Sequence, residues 1–198
     1  MKKYLIYLAL AILLVAAPGL ARADLIIVTP LSGAGENPPT SSLALGTATY
    51  FVNTTTNEID FTISFGLDVG SQPLTSPLVA GHIHFGMPGM NGPVILPFPN
   101  LPVGATSGTF TGVLMAANLT PVAPILTFDE AVAALEAGQT YTNLHTMNFP
   151  GGEIRGQNPV GAPVPEPASL LLISVSALAL LGFGWRRRKQ RMVAGLAE

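Results

Sequence analysis

Apolar and polar residues alternate most cleanly in "EIDFTISFGL". Ile59, Phe61, Ile63, Phe65 and Leu67 are apolar, with Asp60, Thr62 and Ser64 between them. A period of two over such a run predicts a half-buried strand. Just upstream, "GTATYFVN" sets Ala48, Tyr50 and Val52 in the same rhythm, and the polar "NTTTNE" between the two runs predicts a β-hairpin. Further short strands are expected at "LIIVTP", "LVAGHIHF", "PVILPF", "GTFTGVLM", "YTNLHT" and "GEIRGQ", most of them separated by Gly, Pro or Asn. Only "TFDEAVAALEAGQ" departs from this rhythm. Thr127 suits an N-cap, Asp129 and Glu130 suit the first turn, and Gly138 suits the end, so one short helix is expected from about Asp129 to Ala137. Many short strands with polar turns predict an all-β fold: a single antiparallel β-sandwich or barrel domain with one short helix.

Both ends of the chain break the pattern. Lys2 and Lys3 precede an uninterrupted apolar run from Tyr4 to Ala17, Pro18 and Gly19 end it, and Ala21-Arg22-Ala23 offers small residues at both key positions of a cleavage site. Residues 1–23 therefore read as a signal peptide cut between Ala23 and Asp24. At the other end, residues 159–167 are a Pro/Gly/Ala linker without a core-forming pattern. Ala168 to Gly184 carries no charge, Trp185 stands at its edge, and "RRRKQR" follows. This layout predicts a transmembrane helix over 168–185 with a basic cytoplasmic tail, 186–198. The tail resembles the PEP-CTERM sorting signal of Gram-negative bacteria, on Val164-Pro165-Glu166-Pro167, the apolar segment and Arg186-Arg187-Arg188-Lys189. The resemblance implies that an exosortase, a membrane transpeptidase, recognises Pro165, Glu166 and Pro167 and that the helix is a transient sorting device. It also implies a route through the inner membrane, with the domain in the periplasm, to the outer surface or the extracellular matrix, in an exopolysaccharide and biofilm context.

Charge changes the picture of the middle. The formal net charge is −2, yet eight of the nine basic residues lie in the two terminal segments. Between 24 and 158 only Arg155 is basic, against nine carboxylates, a net of −8. Such a domain has no means of binding nucleic acid or an anionic membrane by charge. It lacks cysteine, so its core alone must hold it, and its length suffices for one sizeable core.

All three histidines fall in two short motifs, "GHIHFGMPG" and "YTNLHT". In a strand, residues i and i+2 point the same way. His82 and His84 then share one face and Ile83 and Phe85 the other. Tyr141, Asn143 and His145 share a face, as do Glu153, Arg155 and Gln157. If these strands are neighbours, the histidines and the lone basic residue converge. Three readings stay open: a hydrogen-bonded cluster that pins strands together, a zinc or copper site on His82, His84, His145 and Glu153, and acid–base catalysis. No nucleophile motif proposes a reaction, so an enzyme is not expected. Glu153 and Arg155 read first as cross-strand or backbone partners, and the Gly and Pro residues around the motifs as turn-makers.

"GHIHFGMPGMNGPVI", "YTNLHT" and "PGGEIRGQ", with the early "LSGAGENPP", resemble the CHRD domain, first described in chordin and found in many bacterial exported proteins. The resemblance covers about residues 27–157. It implies an extracellular β-rich module, with Asn143 and Arg155 as parts of its structural motif, and no established enzyme activity, because the family itself has no firm molecular function. The expected partners are an extracellular polysaccharide or a surface protein. A remoter similarity is to copper–zinc superoxide dismutase, where paired histidines on a β-sandwich bind copper and an arginine guides the anion. His82, His84, His145 and Arg155 would play the analogous parts. Three histidines cannot build that enzyme's dinuclear site, so the similarity implies a mononuclear site at most. The sorting assignment has a direct check. A Glu166→Ala variant should stay unprocessed at the membrane, seen as a larger band on immunoblots of membrane fractions, whereas normal processing would refute it.

Overall fold

The computed structural model describes residues 24–164 and, separately, Leu178. The expected signal peptide, the sorting residues Pro165, Glu166 and Pro167, the transmembrane helix and the basic tail lie outside the described residues. Among the described residues no helix is long and apolar enough to cross a membrane.

The strands are β1 (Leu25–Ser32), β2 (Leu45–Asn53), β3 (Glu58–Phe65), β4 (Leu78–Phe85), β5 (Val94–Pro97), β6 (Gly108–Leu114), β7 (Thr140–Thr146), β8 (Ile154–Gln157) and β9 (Ala162–Pro163). They form one sheet in the order β5-β4-β7-β8-β1-β2-β3-β6, with β9 paired to β1, and every pairing between these strands is antiparallel. The period-two rhythm explains the middle of this order. Ala48, Tyr50 and Val52 of β2 pair with Ile63, Phe61 and Ile59 of β3, Phe65 stands opposite Gly46, and all of these side chains are buried, so one face of the hairpin is wholly apolar. Its turn is shaped by Asn53, whose Oδ1 accepts from the backbone N–H groups of Thr55 and Thr56. Leu67 does not join this face. The strand ends at Phe65, the chain turns at Gly66, and Leu67 is 59% exposed.

The sheet curls until its ends nearly meet. Phe98 follows directly on β5, one edge strand. Its ring lies 5.0 Å from that of Phe61 in β3 and 5.9 Å from that of Phe110 in β6, the other edge strand. Phe61 and Phe110 are themselves 5.8 Å apart, edge to face. This aromatic contact makes the fold barrel-like without a hydrogen-bonded seam between β5 and β6. The helix, α1 (Phe128–Glu136), begins one residue earlier than the sequence suggests and packs Phe128, Ala131, Val132, Ala134 and Leu135 into the same core. Thr127 and Glu130 form a reciprocal capping box: Thr127 Oγ1 accepts from the Glu130 N–H, and the Glu130 carboxylate accepts from the N–H groups of Leu126 and Thr127.

The core is not purely apolar where β7 crosses it. Thr29 and Thr142 hydroxyls donate to Asn158 Oδ1, Asn158 Nδ2 donates to the Thr140 hydroxyl, and Tyr50 shares a hydrogen bond with Thr142. These groups satisfy one another inside the barrel, as burial requires. Because Phe98 joins the two edges of the sheet, Phe98→Ala should cost about 3–5 kcal/mol of unfolding free energy by chemical denaturation, in the range for a large aromatic removed from a core. A loss below about 1 kcal/mol would show that the edges hold without it.

Candidate metal centre

β7 lies between β4 and β8, and its register builds the site. Across β4 and β7, Ala80 faces His145, His82 faces Asn143 and His84 faces Tyr141. Across β7 and β8, Asn143 faces Arg155 and Tyr141 faces Gln157. These residues occupy one side of the sheet. The alternate residues Ile83, Leu144 and Ile154 are fully buried in the apolar core on the other. The convergence expected from strand alternation is therefore present, with Asn143 at its middle.

The three imidazoles meet. Ring centroids are 5.0 Å apart for His82 and His145, 5.6 Å for His82 and His84, and 5.8 Å for His84 and His145. One ring nitrogen from each lies within 4.8 Å of the others. His82 Nδ1 is 3.2 Å from His145 Nε2. Two imidazole nitrogens bound to one tetrahedral ion at ordinary bond lengths stand about 3.3 Å apart, so this pair already has ligand spacing.

Backbone carbonyls set the tautomers. His84 Nδ1 lies 2.9 Å from the Gly92 carbonyl and His145 Nδ1 3.0 Å from the Pro150 carbonyl. A carbonyl only accepts, so both Nδ1 atoms carry the proton and both Nε2 atoms keep a lone pair. This is the arrangement in which a backbone acceptor orients a metal-binding histidine. His84 Nε2 is buried and, among the described residues, has no hydrogen-bond partner. An unpaired buried acceptor is costly, and a metal ion would satisfy it. His82 is only half-buried, so the cluster has an open side.

Burial also keeps the imidazoles neutral. Desolvation, with the neighbouring histidines adding repulsion, pushes His82 down to about 4. His84 falls to about 4, mainly by desolvation, against the pull of its bond to Gly92. His145 is lowered for the same reason, against its bond to Pro150. Neutral rings are what a metal requires.

Around this trio stands a stack. The Tyr141 ring lies 4.6 Å from that of His84 and nearly parallel, at 8°. Arg155 Cζ sits 3.4 Å from the Tyr141 ring centroid, a cation–π contact. The guanidinium donates to Asn91 Oδ1 and to the Met90 carbonyl, at 2.7 Å each. Arg155, the one arginine among the described residues, thus has several partners at once, and its charge also acts on the Glu36 carboxylate. Tyr141 Oη donates to the Gly92 carbonyl and accepts from the Gly92 N–H.

Two carboxylates differ from what the sequence suggests. Glu153, expected as a fourth ligand, is elsewhere. β8 begins only at Ile154, after Gly152 at φ 127°, and this bend takes Glu153 off the face that carries Arg155. Fully buried, it accepts from Ser42 Oγ and Thr75 N through Oε1, and from Thr75 Oγ1 and Thr146 Oγ1 through Oε2. It ties four segments together and has no oxygen to spare for an ion. Glu36, which strand patterning does not single out, is at the site instead. It is only 7% exposed and accepts a long bond, 3.4 Å, from Asn143 Nδ2. A Cβ at position 152 would come within 2.5 Å of Glu36 Oε1 and of the Asn143 amide, so the glycine is needed for both its φ and its space. Glu36 belongs to "LSGAGENPP", the one signal that pointed to this turn.

Fold and site define a class: an antiparallel, barrel-like β domain with a partly buried histidine cluster on its sheet. The chain belongs to the CHRD domain family, whose model matches residues 27–158. The model of the PEP-CTERM protein-sorting motif matches residues 163–189. That motif marks a protein exported across the membrane to the cell surface or extracellular space, anchored in the membrane and processed by an exosortase. No curated protein and no solved structure matches the chain.

Glu36 gives the site a pH signature. Burial raises its carboxyl to about 7, although Arg155 and Asn143 pull it down. A folded-state pKa above the unfolded value near 4.5 means stability that is present at low pH and lost as pH rises through about 7. The histidines act the other way, losing stability as pH falls from the ordinary 6.5 toward 4, and they are common to wild type and variant. The difference in melting temperature between Glu36→Gln and wild type should therefore grow in favour of the variant from pH 5 to pH 8. A difference flat across that range would contradict the assignment.

Proposed function

We propose that this exported CHRD domain is a non-enzymatic binding module that holds one transition-metal ion, zinc or copper, on His82, His84 and His145. The observation that carries the reading is the buried, unpartnered Nε2 of His84 in a trio of histidines that each offer one ring nitrogen within 4.8 Å of the others. Fixed tautomers on His84 and His145 and the neutrality of all three rings support it. Three histidines leave one tetrahedral position, which lies on the open side at His82 and suits water or a donor from a partner. We place the module at the cell surface or in a biofilm matrix, with an exopolysaccharide or a surface protein as that partner. Among the described residues no hydroxyl or thiol is hydrogen-bonded to any of the three imidazoles, which favours binding over nucleophilic catalysis.

Metal content and thermal stability test this together. The purified protein should carry or take up one equivalent of zinc or copper. Excess metal should raise its melting temperature, since a ligand at a hundred times its Kd adds about 2.7 kcal/mol. His82→Ala and His145→Ala should remove most of that rise. A wild-type protein unchanged in stability by either metal would sink the proposal.

A further inference from the structure

The two loops that orient the ligand histidines also carry exposed thioethers. The β4–β5 loop supplies the Gly92 carbonyl to His84 and contains Met87 and Met90, which are 46% and 59% exposed. The β7–β8 loop supplies the Pro150 carbonyl to His145 and contains Met147, 66% exposed and two residues beyond that histidine. Met87 and Met90 are the corners of a turn. The Met90 N–H donates to the Met87 carbonyl at 3.0 Å, Pro88 holds the second position, and Gly89 stands at φ 75° in the third. That is a type II turn, which brings its end Cα atoms within about 7 Å. The turn is fixed to the site, because Asn37 Nδ2 donates to the Gly89 carbonyl and Arg155 to the Met90 carbonyl. Exposed at these levels, the three side chains contribute little to the core.

Resting on the three-histidine reading, we propose that the centre is selective for copper. Met87, Met90 and Met147 form a thioether rim that supplies a sulfur ligand to Cu(I) held on His82, His84 and His145. The chemistry of the donors separates the candidate metals. Thioether sulfur is a soft donor that favours Cu(I), while imidazole serves copper and zinc alike. With no cysteine in the chain, methionine is its only soft ligand. Methionine is also flexible and unbranched, and Met147 lies two positions from His145, Met90 two from Gly92 and Met87 three from His84, close enough in the chain to serve the open side. No change of oxidation state is needed for binding.

The test uses the purified protein and a Met87→Leu/Met90→Leu/Met147→Leu variant. Cu(I) is supplied from a colorimetric chelator, and Zn(II) serves as the control. Leucine conserves volume at exposed positions, so the variant should fold, which its melting temperature checks. Wild type should withdraw Cu(I) from the chelator and show sulfur neighbours at the copper absorption edge. The variant should lose the sulfur signal and about tenfold or more in Cu(I) affinity, with zinc binding unchanged. Equal Cu(I) affinity in the two proteins, or a purely nitrogen environment in wild type, would overturn the rim while leaving the histidine site standing. Failure of wild type to bind either metal would overturn both.

Discussion

β7 is buried along its whole length, and the rest of the molecule is arranged around that fact. A strand between two neighbours has no edge to give to solvent, so each of its side chains must be accommodated on one face or the other. Thr140, Thr142, Leu144 and Thr146 turn to one side, where they meet apolar residues and a closed set of hydroxyl and amide bonds. Tyr141, Asn143 and His145 turn to the other, where there is no apolar layer to receive them. Polar groups buried there cost free energy unless partners are supplied. The loops after β4 and after β7 supply them as backbone carbonyls, and Arg155 supplies a cation over the Tyr141 ring. The glycines and prolines of those loops let the backbone turn back over the sheet.

Satisfaction is complete on the inner side of β7 and incomplete on the outer side. Glu153 shows the complete case: a buried carboxylate whose two oxygens are filled by hydroxyls and one N–H. Across the strand, His84 Nε2, Glu36 Oε1, Asn143 Oδ1 and Gln157 Oε1 are buried without hydrogen-bond partners among the described residues. The same chain that ties every oxygen of one carboxylate leaves these four atoms open on the side that carries its histidines. That contrast favours a site shaped for an added cation over a cluster whose only task is to pin strands.

Most of the fold was legible in the sequence because the barrel is built from short strands with strict alternation and marked turns. Ile59 to Phe65 and Ala48 to Val52 declared their inward face directly. Thr127 and Glu130 declared the helix through capping chemistry. The site was legible in part for the same reason: alternation grouped His82 with His84, and Tyr141 with Asn143 and His145. Alternation says which residues share a face, and it does not say where a strand begins. Glu153 was therefore misplaced, because Gly152 bends the chain two residues before β8 begins. Glu36 and the two carbonyls were beyond such reasoning. Glu36 reaches Asn143 across 107 residues of chain, and Gly92 and Pro150 act through backbone atoms that every residue has.

The central claim is that His84 and His145 are held as Nδ1–H tautomers so that their Nε2 atoms can take a metal. Long-range proton–nitrogen NMR of the three imidazoles, before and after one equivalent of zinc, reads this directly. The account predicts neutral rings at pH 7, with Nδ1 protonated in His84 and His145 throughout, and large Nε2 shifts on both when zinc is added. Nε2-protonated rings, or imidazole nitrogens that do not respond to zinc, would contradict it.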